Sequence, residues 1–279
     1  MPELPEIETI CRYLQQTITN YCIKQVIIRK TSLRWPINPE LNKILQDCII
    51  NRIYRRAKYL LIDCYNKVTN HNGHIIIHLG MSGKLSIVGP KTSVTKHDHI
   101  DFVLQNNTIL RYNDPRRFGA IIWTTINPLE HNLLSHLGPE PFDSIFNANY
   151  FFEKAKKKNL TIKQFIMNNK IVVGVGNIYA NEALFTSKIH PISITKNLTL
   201  IQIKTLITAI RKILKQAILH GGTTLKDFFD PTGTPGTFSK TLQVYGRVNK
   251  SCLVCNTIIE QIKLGQRSTF FCKKCQPVI

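Results

Sequence analysis

Negative charge is scarce in this chain. Seventeen Asp and Glu stand against thirty-seven Lys and Arg, which leaves a formal net charge of +20 over 279 residues. A soluble protein this basic usually faces a polyanion, either nucleic acid or an acidic membrane surface; the alternative is a generally basic proteome or a charge that serves solubility. Long apolar runs are missing as well. The most apolar stretches, such as HIIIHLGM at 74–81, are short and flanked by polar residues, far from the ~18 residues a membrane span needs. The N-terminus lacks the basic-then-apolar profile of a secretory signal. These absences set aside membrane-spanning and exported readings and lead to the expectation of a cytoplasmic protein working on the nucleoid. No internal repeat or low-complexity tract is present, and a hydrophobic content of 43% belongs to a globular chain of one large or two modest domains.

Cysteine is present but unevenly used. Cys11, Cys22, Cys48 and Cys64 have no useful spacing and read as small hydrophobes. Cys252, Cys255, Cys272 and Cys275 form CLVC and CKKC knuckles separated by sixteen residues. Zinc takes four tetrahedral sulfurs, and two knuckles across a hairpin supply them, so this segment is expected to hold one structural zinc ion. A redox pair is the rival, but it calls for a single CxxC beside a βαβ unit.

The opening, MPELPEIETI, places Pro5 and Glu6 where a helix start wants them. Ile7, Ile10, Cys11, Leu14 and Ile18 then follow at helical spacing over 7–18. From about 22 to 125 the pattern changes to short β-type runs punctuated by Gly, Asn, Asp and Pro, which predicts a sandwich or partly closed barrel. Beyond about 127 the strands give way to helical patterns over 149–169, 177–187 and 198–219. A Gly/Pro/Thr-rich loop at 230–238 and the cysteine hairpin come last. The order is β lobe, helical lobe, zinc hairpin.

Several segments carry chemistry. In VVGVGNIYANEALF (172–185), Gly174 and Gly176 bring the backbone close to a neighbour, and Asn177 opens a helix whose N–H groups favour a phosphate; the competing reading is a tight interhelical turn. RRAKYLL (55–61) places Lys58 where a polar stretch meets a strand, and by itself it reads as a solvated lysine at a strand start. HLGMSGKL (78–85) sets Met81 on a Gly-flanked turn, and NDPRRFGA (113–120) sets Phe118 beside Arg116 and Arg117. An apolar wedge next to arginines suits insertion into a base stack; the alternative is that Met81 and Phe118 plug the sandwich edge. Once Met1 is removed, Pro2 offers a secondary α-amine. The α-amine reference pKa is about 7.7–8.0, against about 10.4 for lysine, so more of it is nucleophilic at neutral pH. Glu3, next to it, can move protons.

These segments, with KHDH (96–99), HLGPEP (136–141), GGTTLKDF (221–228), LQVYGR (242–247) and the cysteine hairpin in the same order, resemble the bacterial formamidopyrimidine-DNA glycosylase family over essentially the whole chain. Leu4 separates it from the endonuclease VIII group, which begins PEGPE. The resemblance implies an α+β fold: an N-terminal β-sandwich flanked by helices over 1–126, a helix-two-turns-helix domain over 127–228, a lesion-recognition loop and connection over 229–243, and a zinc-ribbon β-hairpin over 244–279. It implies a monomeric enzyme that excises oxidised purines from double-stranded DNA and cleaves the abasic site by β,δ-elimination. Pro2 would be the Schiff-base nucleophile and Glu3 the acid/base. Lys58 would transfer protons in β-elimination, and Arg267 would act in δ-elimination and bind phosphate. Met81, Arg116 and Phe118 would fill the void left by the flipped nucleotide. His78, His97, Lys158 (or Lys157), Asn177 and Tyr245 would contact DNA. The sequence departs from the family at Asn256, where glycine is common, and at YGRVNKSC, which lacks the usual Gly and Pro; both bear on turn geometry, not on ligands.

Overall fold

The structure is a computed structural model and describes residues 2–67, 69–224 and 231–278. Met1, residues 225–228 of the GGTTLKDF motif and Asp230 at the start of the 230–238 loop lie outside the described residues. The chain divides into two compact units, Met1–Ser135 with His220–Thr237, and His136–Leu219 with Phe238–Ile279.

The first unit begins with helix α1 (Leu4–Ile18), whose Ile7, Ile10, Cys11, Leu14 and Ile18 are all buried. Burying each isoleucine or leucine of that stripe contributes about 2 kcal/mol. Eight strands follow the alternating apolar runs: β1 (Ile23–Ile28), β2 (Ile49–Arg56), β3 (Tyr59–Asn66), β4 (His71–His78), β5 (Lys84–Val88), β6 (Asp98–Leu104), β7 (Ile109–Asn113) and β8 (Ala120–Thr124), with the short helix α2 (Leu41–Leu45) after β1. They form two four-stranded antiparallel sheets, ordered β1-β6-β7-β5 and β2-β3-β4-β8. One hydrophobic core joins α1 to both sheets, from Ile7 and Leu14 through Ile62 and Ile77 to Phe102 and Tyr112. The expected sandwich is the result. Cys11, Cys48 and Cys64 are buried and Cys22 is half-buried. Burial pushes the Cys11 thiol up to about 12 and raises Cys64 well above its usual value, so both stay protonated.

The second unit holds α3 (Ala148–Ala155), α4 (Ile162–Ile166), α5 (Asn177–Thr186), α6 (Leu200–Leu219) and the hairpin β9 (Glu260–Leu264) and β10 (Arg267–Phe271). The single helical stretch expected over 149–169 is two helices. The break at 156–161 has a tertiary cause: Leu160 O accepts from both the backbone N–H and the hydroxyl of Thr195, and Ile162 N–H donates to Ser193 O. Thr161 then caps α4 by accepting from the Gln164 N–H. Helix α5 is buried along Ile178–Phe185, the mark of a helix enclosed on all sides.

Candidate active site and nucleic-acid interface

Pro2 and Glu3 are buried at the start of α1. Glu3 is the N-cap, and the Glu3 N–H donates to Glu6 Oε2 at 2.7 Å. The other oxygen of the same carboxylate, Glu6 Oε1, accepts from the Thr223 N–H at 2.7 Å. Gly222, in the left-handed region at φ +84°, lies against this side chain, and a Cβ there would meet Glu6 Oε1 at 2.9 Å. One buried carboxylate therefore ties the PEL opening to the GGTT segment.

A second tie runs from α1 to Lys58. The β2–β3 hairpin closes with Arg56 opposite Tyr59, so Ala57 and Lys58 are its two-residue turn. Arg55 donates to Glu8 Oε2 at 2.9 Å and to Ala57 O at 3.0 Å. Burial works to raise the Glu8 pKa, but hydrogen bonds from Arg12 and Arg55 outweigh it and hold the carboxyl below its usual range. The Lys58 turn is thus fixed to the helix that directly follows Pro2 and Glu3.

Met81, Arg116, Arg117 and Phe118 line one cleft of about 700 Å³ with Arg34 and His78. Phe118 is 48% exposed, so it does not plug the sandwich; Met81 is half-buried. The Arg116 guanidinium lies over the Phe118 ring at 4.8 Å. Asp114, absent from the sequence reading, organises both loops. It accepts from Ser82 Oγ at 2.6 Å and from the Gly119 N–H at 2.8 Å, and Ser82 Oγ in turn accepts from the Arg116 N–H. Gly80, at φ +60°, sits so close that a Cβ would meet the Phe118 carbonyl carbon at 2.4 Å.

His78 Nδ1 accepts from the Gly80 N–H at 3.0 Å, and its ring packs against Tyr59 at 4.8 Å. Burial first, then the charges of Lys58 and Arg34, lower its pKa to about 4. The unfolded value is about 6.5, so on acidification the unfolded chain takes up the proton first. The stability this neutral imidazole contributes is complete above about 6.5 and is lost as pH falls toward about 4. In the DNA-free protein, the imidazole resonance that disappears in His78→Asn should titrate with a midpoint near 4; a midpoint close to the unperturbed value would contradict this environment.

His97 lines a neighbouring cleft of about 360 Å³ with Arg29, Lys30, Lys96 and Arg117. The loop that carries it is held by Arg111, which donates to Ser93 O at 3.0 Å and pairs with Asp101 and Asp98. Burial opposes the charged form of Asp101, but Arg111 and Arg29 outweigh it and keep its carboxyl low.

The remaining residues belong to the second unit. Arg267 is exposed beside the two-residue turn Gly265–Gln266, both at positive φ, that closes the β9–β10 hairpin. Lys157 and Lys158 are both exposed beyond α3. Asn177 opens α5 behind the N-cap Gly176. Its side-chain amide donates to Ser268 O at 3.0 Å, so one of its two hydrogens is used on the hairpin. Tyr245 packs against Phe270 at 5.0 Å. The buried Glu182 accepts from the backbone N–H groups of Gln243, Val244 and Tyr245. Burial raises its pKa while those three bonds restrain the rise.

The sulfurs of Cys252, Cys255, Cys272 and Cys275 lie within 4.8 Å of one another, with Cys255–Cys272 at 3.4 Å and Cys252–Cys275 at 3.9 Å. Thiolates about 2.3 Å from one tetrahedral ion stand about 3.8 Å apart, so the donor set fits zinc. Asn256 adopts φ +60°, the left-handed conformation that favours glycine and that asparagine tolerates.

Three family profiles match in order: the formamidopyrimidine-DNA glycosylase N-terminal domain over residues 1–121, the H2TH domain of the same enzymes over 137–229, and the zinc finger found in FPG and IleRS over 250–278. The formamidopyrimidine-DNA glycosylase of Aliivibrio fischeri is 50% identical over 277 residues, covering 99% of each chain. The chain belongs to the formamidopyrimidine-DNA glycosylase family. The family enzyme of Hydrogenovibrio crunogenus is 49% identical over 99% of this chain and 96% of its own. Among solved structures, a Lactococcus lactis FPG mutant with Fapy-dG-containing DNA aligns with a TM-score of 0.91 at 32% identity, covering 99% of this chain and 100% of that one. The Lactococcus lactis Fpg with abasic-site DNA aligns at 0.90 and 32%, covering 99% of both. Among the described residues no helix is long and apolar enough to cross a membrane.

Proposed function

We propose that this chain is a bifunctional base-excision enzyme that removes 8-oxoguanine opposite cytosine and formamidopyrimidines from duplex DNA, then opens the abasic site. The observation that carries the reading is the Pro2–Glu3 opening, buried and pinned through Glu6 at the start of α1, in a member of this family. A module that only bound DNA would have no use for it.

The damaged nucleotide leaves the duplex at a cost of a few kcal/mol. Met81 and Phe118 replace part of the lost stacking, and Arg116 reads the orphaned cytosine. The unprotonated nitrogen of Pro2, freed by removal of Met1, attacks C1′ as the C1′–N9 bond breaks and the base departs with its electron pair. The deoxyribose ring opens and an iminium forms between C1′ and Pro2. Glu3 moves the proton at the sugar oxygen. Loss of a C2′ proton, assisted by Lys58, expels the 3′ phosphate. A second proton loss, assisted by Arg267, expels the 5′ phosphate, and water releases the enzyme. Phosphates remain on both sides of the gap. His78, His97, Lys158, Asn177 and Tyr245 hold the DNA, an attachment that weakens steeply with salt. Cys252, Cys255, Cys272 and Cys275 would hold one zinc ion, which fixes the two knuckles of the hairpin bearing Arg267. The domains divide as 1–126, 127–228, 229–243 and 244–279, and one monomer acts per lesion in the cytoplasm.

Borohydride reduction tests the reading. Incubation with duplex containing 8-oxoguanine opposite cytosine should give a covalent protein–DNA band whose intact mass equals protein plus sugar-linked DNA. A chain with a free Pro2 that binds the duplex but yields no band would overturn it.

A further inference from the structure

The β9–β10 hairpin is a two-stranded sheet, so alternate N–H and C=O groups of β10 point away from β9 and need partners. Helices α4 and α5 provide them. Lys163, 1% exposed on α4, donates through Nζ to Ser268 O at 2.9 Å and to Thr269 Oγ1 at 2.7 Å. Asn177 donates to the same Ser268 O. Asn181, fully buried one helical turn later on α5, accepts from the Phe270 N–H at 2.7 Å and donates to Asn177 O at 2.6 Å. These side chains stand where a third strand would, and they grip β10 immediately after Arg267.

We infer that Asn181 is a positioning residue that sets where the hairpin presents Arg267. The inference rests on the reading of Arg267 as the δ-elimination residue. The zinc knuckles lie at the far end of the hairpin and fix its base. β10 is held from the side at Ser268, Thr269 and Phe270, immediately after Arg267, and Asn181 bonds both β10 and the first turn of α5, where Asn177 stands. Lys163 has a long, jointed stem, whereas Asn181 has only two torsions and both ends of its amide are engaged. It therefore fixes the lateral position of the strand most tightly.

Zinc-loaded full-length protein on an abasic-site duplex provides the test. Asn181→Leu, close in volume, removes both hydrogen bonds and leaves a buried N–H and C=O without them. It should retain stoichiometric zinc and trap on borohydride within about 2-fold of the parent, while the ratio of δ- to β-elimination product falls at least ~5-fold. Exchange of the Phe270 amide with solvent should accelerate at least ~10-fold. Asn181→Asp keeps the acceptor for Phe270 and should recover most of that protection; it also serves if the leucine variant fails to fold. Arg267→Ala should lower the product ratio, and adding Asn181→Leu to it should lower it no further. Parental exchange at Phe270, or a parental product ratio in Asn181→Leu beside a lowered one in Arg267→Ala, would overturn the inference. An unchanged ratio in Arg267→Ala would instead refute the role given to Arg267, and the Phe270 exchange rate would still decide whether Asn181 holds the strand.

Discussion

A chain in which Pro2 is acylated by an uncleaved leading residue is expected to give no covalent band above background and no strand cleavage, while still binding lesion duplex within about 3-fold of the processed protein. The expectation comes from the electron pair: in an amide it is delocalised and no longer attacks carbon. Loss of the nucleophile in a concerted site costs on the order of 10⁴-fold or more in rate. Pro2→Gly is a milder change. It keeps an α-amine of similar basicity but as a primary one, without the ring that limits its orientation, and the imine it forms must hold a proton to stay charged. A drop of about 10²-fold in trapping is expected, again with little change in affinity. Binding and trapping that fall together would mean that Pro2 serves the fold and not the reaction. The ties through Glu6 to Glu3 and Thr223 do not involve the Pro2 nitrogen, so neither change should disturb them.

The second large effect is expected at the four cysteines. Cys272→Ser should reduce bound zinc well below one ion per chain and weaken lesion-duplex binding at least ~100-fold. A structural zinc site contributes on the order of 10 kcal/mol, and the surrounding segment has little else to fold around. That segment's core is small: Phe185, Val244, Ile259 and Phe270 beside Cys252 and Cys272. The sandwich has its own core and should show an unchanged unfolding transition. Metal analysis and binding isotherms at fixed salt check both halves. Full affinity in metal-free protein would refute the structural role of the ion.

Much of the fold was legible because its signals are local. Each strand of the sandwich is a short apolar run bounded by turn residues, and the α1 stripe repeats at helical spacing. The four-cysteine cluster was legible because metal chemistry constrains the spacing of such ligands. The division of 149–169 was read wrongly, although Thr161 and Gln164 carry a capping signal. The break is imposed by Ser193 and Thr195, more than thirty residues away. Of the candidate site, residues inside short motifs could be named, whereas those that hold the motifs in place could not. Asp114 looks like an ordinary turn aspartate before proline until both loops are seen bonded to it. Glu8 and Arg55 are separated by 47 residues, and Asn181 and Phe270 by 89. Lys163 stands beside Ile162, Phe165 and Ile166, which are buried, while Gln164 is exposed, and nothing local in the sequence shows that its ammonium reaches Ser268 O, 105 residues away.

The attachment at Asp114 has a mechanical consequence. Ser82 and Gly119 end on the same carboxylate, and Gly80 is seated against the Phe118 backbone. The side chains of Met81, Arg116 and Phe118 therefore behave as teeth of one comb. On the proposed function, a search along undamaged duplex would test every step with all three at once. Lengthening either loop by a single residue would spoil the spacing of the whole row, even with every tooth still present.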